Sequence, residues 1–297
     1  MTAPDQVSYV YAIGRAAEVA AAGALPAGVG GAEVLPVTGG TLGALVSRVP
    51  ADRFGEAGLR ERLDDLAGLE AMARAHHEVV AAAYRAGVAL PLRLATVYAD
   101  DDRVAAVLRD REAELLGLLD RLTGHAEYGV KVYAGGPQED VVPGAADSAA
   151  APASSPGRAY LLRRRAERDG RRSAQRAAGA LADRVAEAAS ALATDRVVHR
   201  PQQGALATGP GENIANLAFL VPDDRAGSFV TAVQDAGVAR PGTRVEVTGP
   251  WAPYSFATAL PADAPQHGGG AADGGAGVAD GAGPDGAVGR PGGERVR

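Results

Sequence analysis

The sequence predicts an α+β fold in two domains, on three observations. Short β-rich segments share the first 134 residues with two long stretches of helical apolar spacing. Residues 135–157 are rich in Gly, Pro, Ala and Ser and poor in large apolar side chains, as a linker or long loop is. A second helix, strand, helix, strand series follows. A length of 297 residues suits about two domains. The expected division is 1–134, an N-terminal α+β domain; 135–157, the linker; 158–260, a second α+β domain; and 261–297, a tail.

The first domain opens with Val7-Ser8-Tyr9-Val10-Tyr11-Ala12-Ile13, apolar on both faces as a central strand requires. Residues 33–37 and 41–49 read as a hairpin around Thr38-Gly39-Gly40. Residues 58–85 read as one long helix, with Leu59, Leu63, Leu66, Ala73 and Val80 at helical spacing. Residues 88–98 read as a strand, which Pro91 confines to an edge or a bulge. Asp100-Asp101-Asp102 supplies cap acceptors to a helix running to about Leu122, where Gly124 stops it. Residues 127–133 alternate as the last strand of this domain.

In the second domain residues 160–193 read as a helix. Its front half is arginine-rich and its back half carries an apolar stripe of Leu181, Val185, Ala188 and Leu192. Residues 214–221 form a buried strand, Pro222-Asp223-Asp224 starts a helix to about Ala236, and residues 244–247 form another strand. This order resembles part of a ferredoxin-like unit. Beyond Leu260 the composition collapses to Gly, Ala, Asp and Pro, with twelve glycines in the last 30 residues. Such a segment buries too little apolar area to offset its ordering entropy, and disorder is expected.

Composition excludes several chemistries. There is no cysteine, which removes disulfides, thiolate metal sites and thiol nucleophiles. No charged N-terminal segment precedes an apolar run, and no uncharged apolar stretch of about 18 residues occurs. A cytoplasmic protein without a membrane partner is expected. The net charge of −6 argues against general nucleic-acid binding. Gly28-Val29-Gly30-Gly31 lacks both the GxGxxG spacing and the helix that a phosphate loop needs. His76-His77-Glu78 resembles a metal cluster, but adjacent helical residues diverge by about 100° and cannot chelate together. The expectation is one half-buried histidine and one solvated neighbour. No GxSxG elbow is present, and Asp100 to Asp102 reads as a cap. The arginine run from Arg163 to Arg176 is interrupted by Glu167 and Asp169, which favours a solvated face or an acidic protein partner over RNA. No cofactor or metal is expected, and no enzyme activity.

One stretch stands out. The only tryptophan lies in Thr248-Gly249-Pro250-Trp251-Ala252-Pro253-Tyr254-Ser255-Phe256, directly after a strand. Gly249 permits a turn closed to other residues, and Pro250 and Pro253 stiffen the chain. The arm either locks into the protein's own core through Trp251, against the second sheet, or presents its aromatics to a partner.

These segments together resemble the gas-vesicle accessory family GvpL/GvpF. The marks are Leu25-Pro26-Ala27-Gly28-Val29-Gly30-Gly31; Leu69-Glu70 through Arg74-Ala75-His76 to Val79-Val80; and Leu90-Pro91-Leu92-Arg93-Leu94-Ala95-Thr96-Val97-Tyr98. Glu127-Tyr128-Gly129-Val130-Lys131-Val132, Ala159-Tyr160-Leu161-Leu162, Ala218-Phe219-Leu220-Val221-Pro222 and the aromatic arm follow in order. Departures occur at Leu94-Ala95, where the family usually has Phe-Gly, at Ala252-Pro253 for Pro-Pro, and near Tyr128, where an aromatic is often Trp. The resemblance implies two α+β domains, the second a modified ferredoxin-like fold. It implies a non-enzymatic assembly role: binding the small hydrophobic shell protein, alongside other gas vesicle accessory proteins, and assisting nucleation or growth of the vesicle. The alternative reading is a nucleic-acid or phosphate-binding module using the 163–176 face. The partner-binding or structural-anchor residues expected are Trp251, Tyr254, Phe256, Pro250, Arg93, Arg74 and His76.

The tail's composition makes a direct prediction. Removing residues 261–297 leaves the melting temperature unchanged within a few degrees; a larger drop in a calorimetric scan would show that the tail contributes to the core.

Overall fold

The computed structural model describes residues 5–135, 156–201, 211–238 and 242–257, which build two antiparallel sheets among helices. The first sheet is organised on β1 (Gln6–Arg15). β3 (Leu42–Pro50) pairs along one side of β1, and β2 (Leu35–Gly39) pairs outside β3. Two short strands, β4 (Leu90–Pro91) and β5 (Val97–Tyr98), pair on the other side. A register shift between Val10 and Ala12 reverses the alternation along β1. Tyr9, Tyr11 and Ala12 consequently enter one core, while Val10 and Ile13 enter the other.

α1 (Ala16–Ala21), α2 (Ala51–Phe54), α3 (Glu56–Asp64) and α4 (Leu66–Arg85) belong to the Tyr9 side. α5 (Asp101–Asp110) and α6 (Glu112–Leu122) cover the opposite face. The second sheet is built from β6 (His125–Ala134), β7 (Asp195–His199), β8 (Glu212–Pro222) and β9 (Thr243–Trp251), in the order β7-β8-β6-β9, every pair antiparallel. α7 (Pro156–Ser190) connects β6 to β7, and α8 (Ala226–Ala236) connects β8 to β9. Both cover one face of this sheet, where Leu181, Val185, Phe219 and Phe229 are fully buried.

The other face of the second sheet meets the first half. Leu220 and Ala218 of β8 share one core with Ile13 and Leu42 of the first sheet. Val104 and Leu108 of α5 and Leu115, Leu119 and Leu122 of α6 fill the space between. The molecule is thus layered: α1–α4, first sheet, α5–α6, second sheet, α7–α8.

Several elements differ from the sequence expectation. The helix expected over 58–85 is two. Asp65 takes an extended conformation, and its carboxylate accepts from the N–H groups of Ala67 (3.2 Å) and Gly68 (3.0 Å), which starts α4 afresh. Such a cap contributes about 1 kcal/mol. Leu66, expected on the buried face, is 78% exposed as a result. The helix expected over 101–122 also divides, at Arg111. The expected strand over 88–98 survives only as β4 and β5, because the chain turns between Arg93 and Thr96. The strand expected to finish the first domain, now β6, pairs with β8 and β9 in the second sheet. β7, α1 and α2 have no counterpart among the expected elements. Most of the expected linker and the whole of the tail beyond Leu260 lie outside the described residues.

The turn between β4 and β5 holds the only positive-φ residue other than glycine among those described, Ala95 at φ 65°. The resemblance implies a glycine at this position. A left-handed conformation disfavours an L side chain by roughly 1–2 kcal/mol, and glycine's greater unfolded-state freedom offsets about half of that. Ala95→Gly should therefore stabilise the protein by about 0.5–1 kcal/mol, read as a higher urea midpoint at unchanged slope. An equal or lower midpoint would show that the turn carries no such penalty.

Candidate interaction surface

α4 sets the first part of the site. Its cap phases the helix so that Met72, His76, Val79, Val80 and Ala83 face inward. His76 is 3% exposed, deeper than the half-buried position expected. Its Nε2 lies 3.1 Å from the carbonyl oxygen of Leu92 and its Nδ1 3.0 Å from the Tyr9 hydroxyl. The carbonyl can only accept, which assigns the proton to Nε2 and makes Tyr9 the donor to Nδ1. The Tyr9 oxygen in turn accepts from the Ala95 N–H at 3.0 Å. One neutral imidazole thereby joins α4, β1 and the turn after β4. Burial holds its pKa down at about 4, against a smaller opposing contribution from the Leu92 carbonyl and a further lowering from His77. Burial likewise raises the Tyr9 and Tyr254 phenols well above their ordinary value.

The arm supplies the second part. Within β9, Gly249 adopts φ 121°, and a Cβ there would lie 2.7 Å from the Glu127 carbonyl. Only glycine fits that approach. The Gly249–Pro250 peptide is cis, and Pro250 is exposed. Trp251 pairs with Glu127 at the end of the strand, then the chain leaves the sheet edge. Ala252 enters the core beneath α4, and the Tyr254 ring sits 6.4 Å from the His76 ring. Phe256, 5% exposed, enters the core between the sheets. Ser255 fixes the crossing: its N–H and hydroxyl both donate to the Glu127 carboxylate at 2.7 Å. His199 at the end of β7 lies 3.0 Å from the same hydroxyl.

Of the two options open to Trp251, burial is not the one taken. It is 43% exposed, because among the described residues no strand pairs on the outer side of β9. Its ring meets His77 edge-on at 5.6 Å, on the outward face of α4. Tyr254 and Phe256 carry the anchoring instead, and they dock on the first half as well as on the second sheet. Thus His76, Tyr254 and the backbone beside Arg93 converge, with Trp251 alongside through His77. Arg93 is exposed. Arg74 stands apart, exposed and paired with Glu70 at 2.5 Å. The Glu127–Ser255–His199 clamp escapes a sequence reading, since nothing local links residues 128 positions apart.

A second surface lies on the front of α7. Tyr160, Leu161 and Leu162 are 48%, 67% and 57% exposed. Arg164 donates to the Tyr160 hydroxyl at 3.1 Å, and Arg163 and Arg164 both lie near its ring. Arg163–Glu167 and Arg165–Asp169 approach to 3.7 and 3.8 Å, both exposed. Among the described residues no group of three His, Cys, Asp or Glu side chains is placed to hold a metal, and no helix is long and apolar enough to cross a membrane.

Fold and site together define a layered α+β protein whose distinctive exposed features are a half-exposed tryptophan on a pinned arm and an arginine-rich helix. A family model, gas vesicle synthesis protein GvpL/GvpF, matches residues 7–258, and the chain belongs to that family. It is 42% identical over 261 residues to gas vesicle protein L of Streptomyces sp. (strain CB03234), covering 85% of this chain and 93% of that one. It is 34% identical to gas vesicle protein F of the same strain, covering 84% and 98%. The fold is similar to the crystal structure of GvpF from Anabaena sp. PCC7120, with a TM-score of 0.57 at 19% identity over 86% of this chain and 98% of that one. GvpF from Microcystis aeruginosa superposes with a TM-score of 0.53 at 17% identity over 85% and 99%.

The His76 node predicts an acid sensitivity. The folded protein holds the neutral ring. Below the ordinary value of 6.5 the unfolded chain takes up a proton that the folded chain refuses until about pH 4. The stability His76 contributes is complete above pH 6.5 and is lost between 6.5 and 4, by about 3 kcal/mol. Urea unfolding of wild type and His76→Gln across that window measures it. The variant's stability should fall less steeply with acid; parallel curves would refute the assignment.

Proposed function

We propose that this chain is a non-enzymatic accessory protein of gas vesicle assembly, which binds the small hydrophobic shell protein and assists nucleation or growth of the vesicle. The observation that carries the reading is Trp251, a large aromatic left half-exposed at the end of an outer strand in a gas vesicle family protein. A subunit with a water-shunning face must be kept from premature aggregation. An extended segment of it added along β9 would gain main-chain hydrogen bonds and meet Trp251 at the strand's end. Other gas vesicle accessory proteins are the remaining partners, in the cytoplasm and at the vesicle. The similarity to gas vesicle proteins L and F supports this setting.

The domain reading follows the same lines. We infer an N-terminal α+β domain through α6 and a second, modified ferredoxin-like domain from β6 to the arm. The order β6, α7, β7, β8, α8, β9 around a four-stranded antiparallel sheet supports it. The modification is the arm, which continues past the last strand and sends Phe256 into the core that the second sheet shares with α5 and α6.

Trp251→Ala tests the partner reading. Because the side chain is half-exposed, unfolding stability should fall by no more than about 1 kcal/mol, while affinity for purified shell protein falls at least about tenfold. Unchanged affinity would remove Trp251 from the interface. Absence of binding by the wild-type chain would overturn the shell-protein reading itself.

A further inference from the structure

Residues 156–176 carry eight arginines against two carboxylates, a formal net charge of +6 in a chain whose total is −6. The structure shows how these charges are arranged. Residues 156–176 form the first turns of α7, and from Tyr160 to Ser173 every side chain is exposed. Arg164, Arg168, Arg172 and Arg176 recur at spacings of four, so they stack as one ridge about 18 Å long. Leu161, 67% exposed, heads that ridge.

Nothing in the helix itself favours this pattern. Like charges at i,i+4 repel, and positive charge near a helix N-terminus opposes the macrodipole. The two ion pairs that offset it, Arg163–Glu167 and Arg165–Asp169, are long and exposed and lie to either side of the ridge. A helix without a buried face draws little stability from propensity alone. Among the described residues Arg164, Arg168, Arg172 and Arg176 make no ion pair, and all four are exposed.

We propose that the Arg164–Arg168–Arg172–Arg176 ridge, with Leu161 at its head, is a docking surface for an acidic amphipathic helix of a partner protein. Carboxylates at i,i+4 spacing match the pitch of the ridge, and guanidinium–carboxylate pairs supply the specificity. Leu161, three residues before Arg164 and exposed, gives such a helix an apolar contact, which a phosphate backbone would not use. This surface is independent of Trp251 and of the shell-protein reading.

The test uses the full chain and four labelled probes in fluorescence anisotropy at physiological salt. They are an 18-residue helical peptide with glutamates at i,i+4 and leucines on one flank, poly-L-glutamate of equal charge, a 20-nucleotide single-stranded DNA, and vesicles containing phosphatidylserine. The helical peptide should bind at least tenfold tighter than the other three. Arg168→Glu with Arg172→Glu should weaken that binding more than tenfold. The same change puts one carboxylate four residues after Arg164 and another four before Arg176, which replaces repulsion with attraction at both ends of the ridge. Helicity and melting temperature should hold or rise, which separates lost docking from lost folding. Tighter binding of DNA or vesicles, equal binding of poly-L-glutamate, or full binding by the double variant would each overturn the proposal.

Discussion

Both sheets depend on one shared apolar layer. Leu115, Leu119 and Leu122 of α6, with Val104 and Leu108 of α5, are buried in a single core that receives Ile13 and Leu42 from one side and Leu220 from the other. A sheet needs both faces covered or solvated, and the strands on this layer carry too many apolar residues for water. Remove the layer and each sheet would expose a face at once. The spacing of these leucines tolerates the break at Arg111 because each short helix keeps its own stripe in phase with the sheet it meets.

The arm acts where that layer ends. Its residues alternate between destinations: Ala252 and Tyr254 go beneath α4, Ser255 to Glu127, and Phe256 between the sheets. A segment of five residues thus contacts three separate environments, and each contact restricts the same few dihedrals. The His76 node works in the same way within α4. A neutral imidazole with both nitrogens satisfied, and a tyrosine that donates and accepts, leave no polar group of that node unpaired in a dry core. Polar groups here specify position, while the surrounding apolar area supplies most of the stability.

Much of this is legible in the sequence, and the failures have physical causes. The central strand β1, the glycine hairpin and the leucine stripe of α5–α6 are all local patterns, and burial follows them. Asp65 looks like one more polar residue on a helix surface; only its backbone conformation makes it a cap. The stretch 88–98 has β-rich composition throughout, but the Tyr9 hydroxyl captures the Ala95 N–H and the chain turns. β6 is recognisable as a strand yet falls to the wrong sheet, because alternation reports a strand's faces and says nothing of its partners. For Trp251 the sequence allows either burial or display. Its exposure depends on β9 being the outermost strand, a property of topology. In the candidate site, residue types are readable and their company is not: Glu127, Ser255 and His199 come from three distant segments.

The inventory of exposed large apolar side chains bears on how such a protein could handle a hydrophobic subunit. Among the described residues they are Leu66, Tyr160, Leu161, Leu162, Val198, Val238 and Trp251. Leu66 begins α4, Tyr160 to Leu162 lie on the front of α7, Val198 is on β7 at one edge of the second sheet, and Trp251 ends β9 at the other. A broad apolar patch would itself invite self-association. Val198 and Trp251 are apolar points at opposite edges of the second sheet and avoid that hazard, since each needs a partner that also offers main-chain hydrogen bonds before the contact becomes worthwhile. A segment extending along β9 would meet that requirement, and a protein with its own edges covered would not.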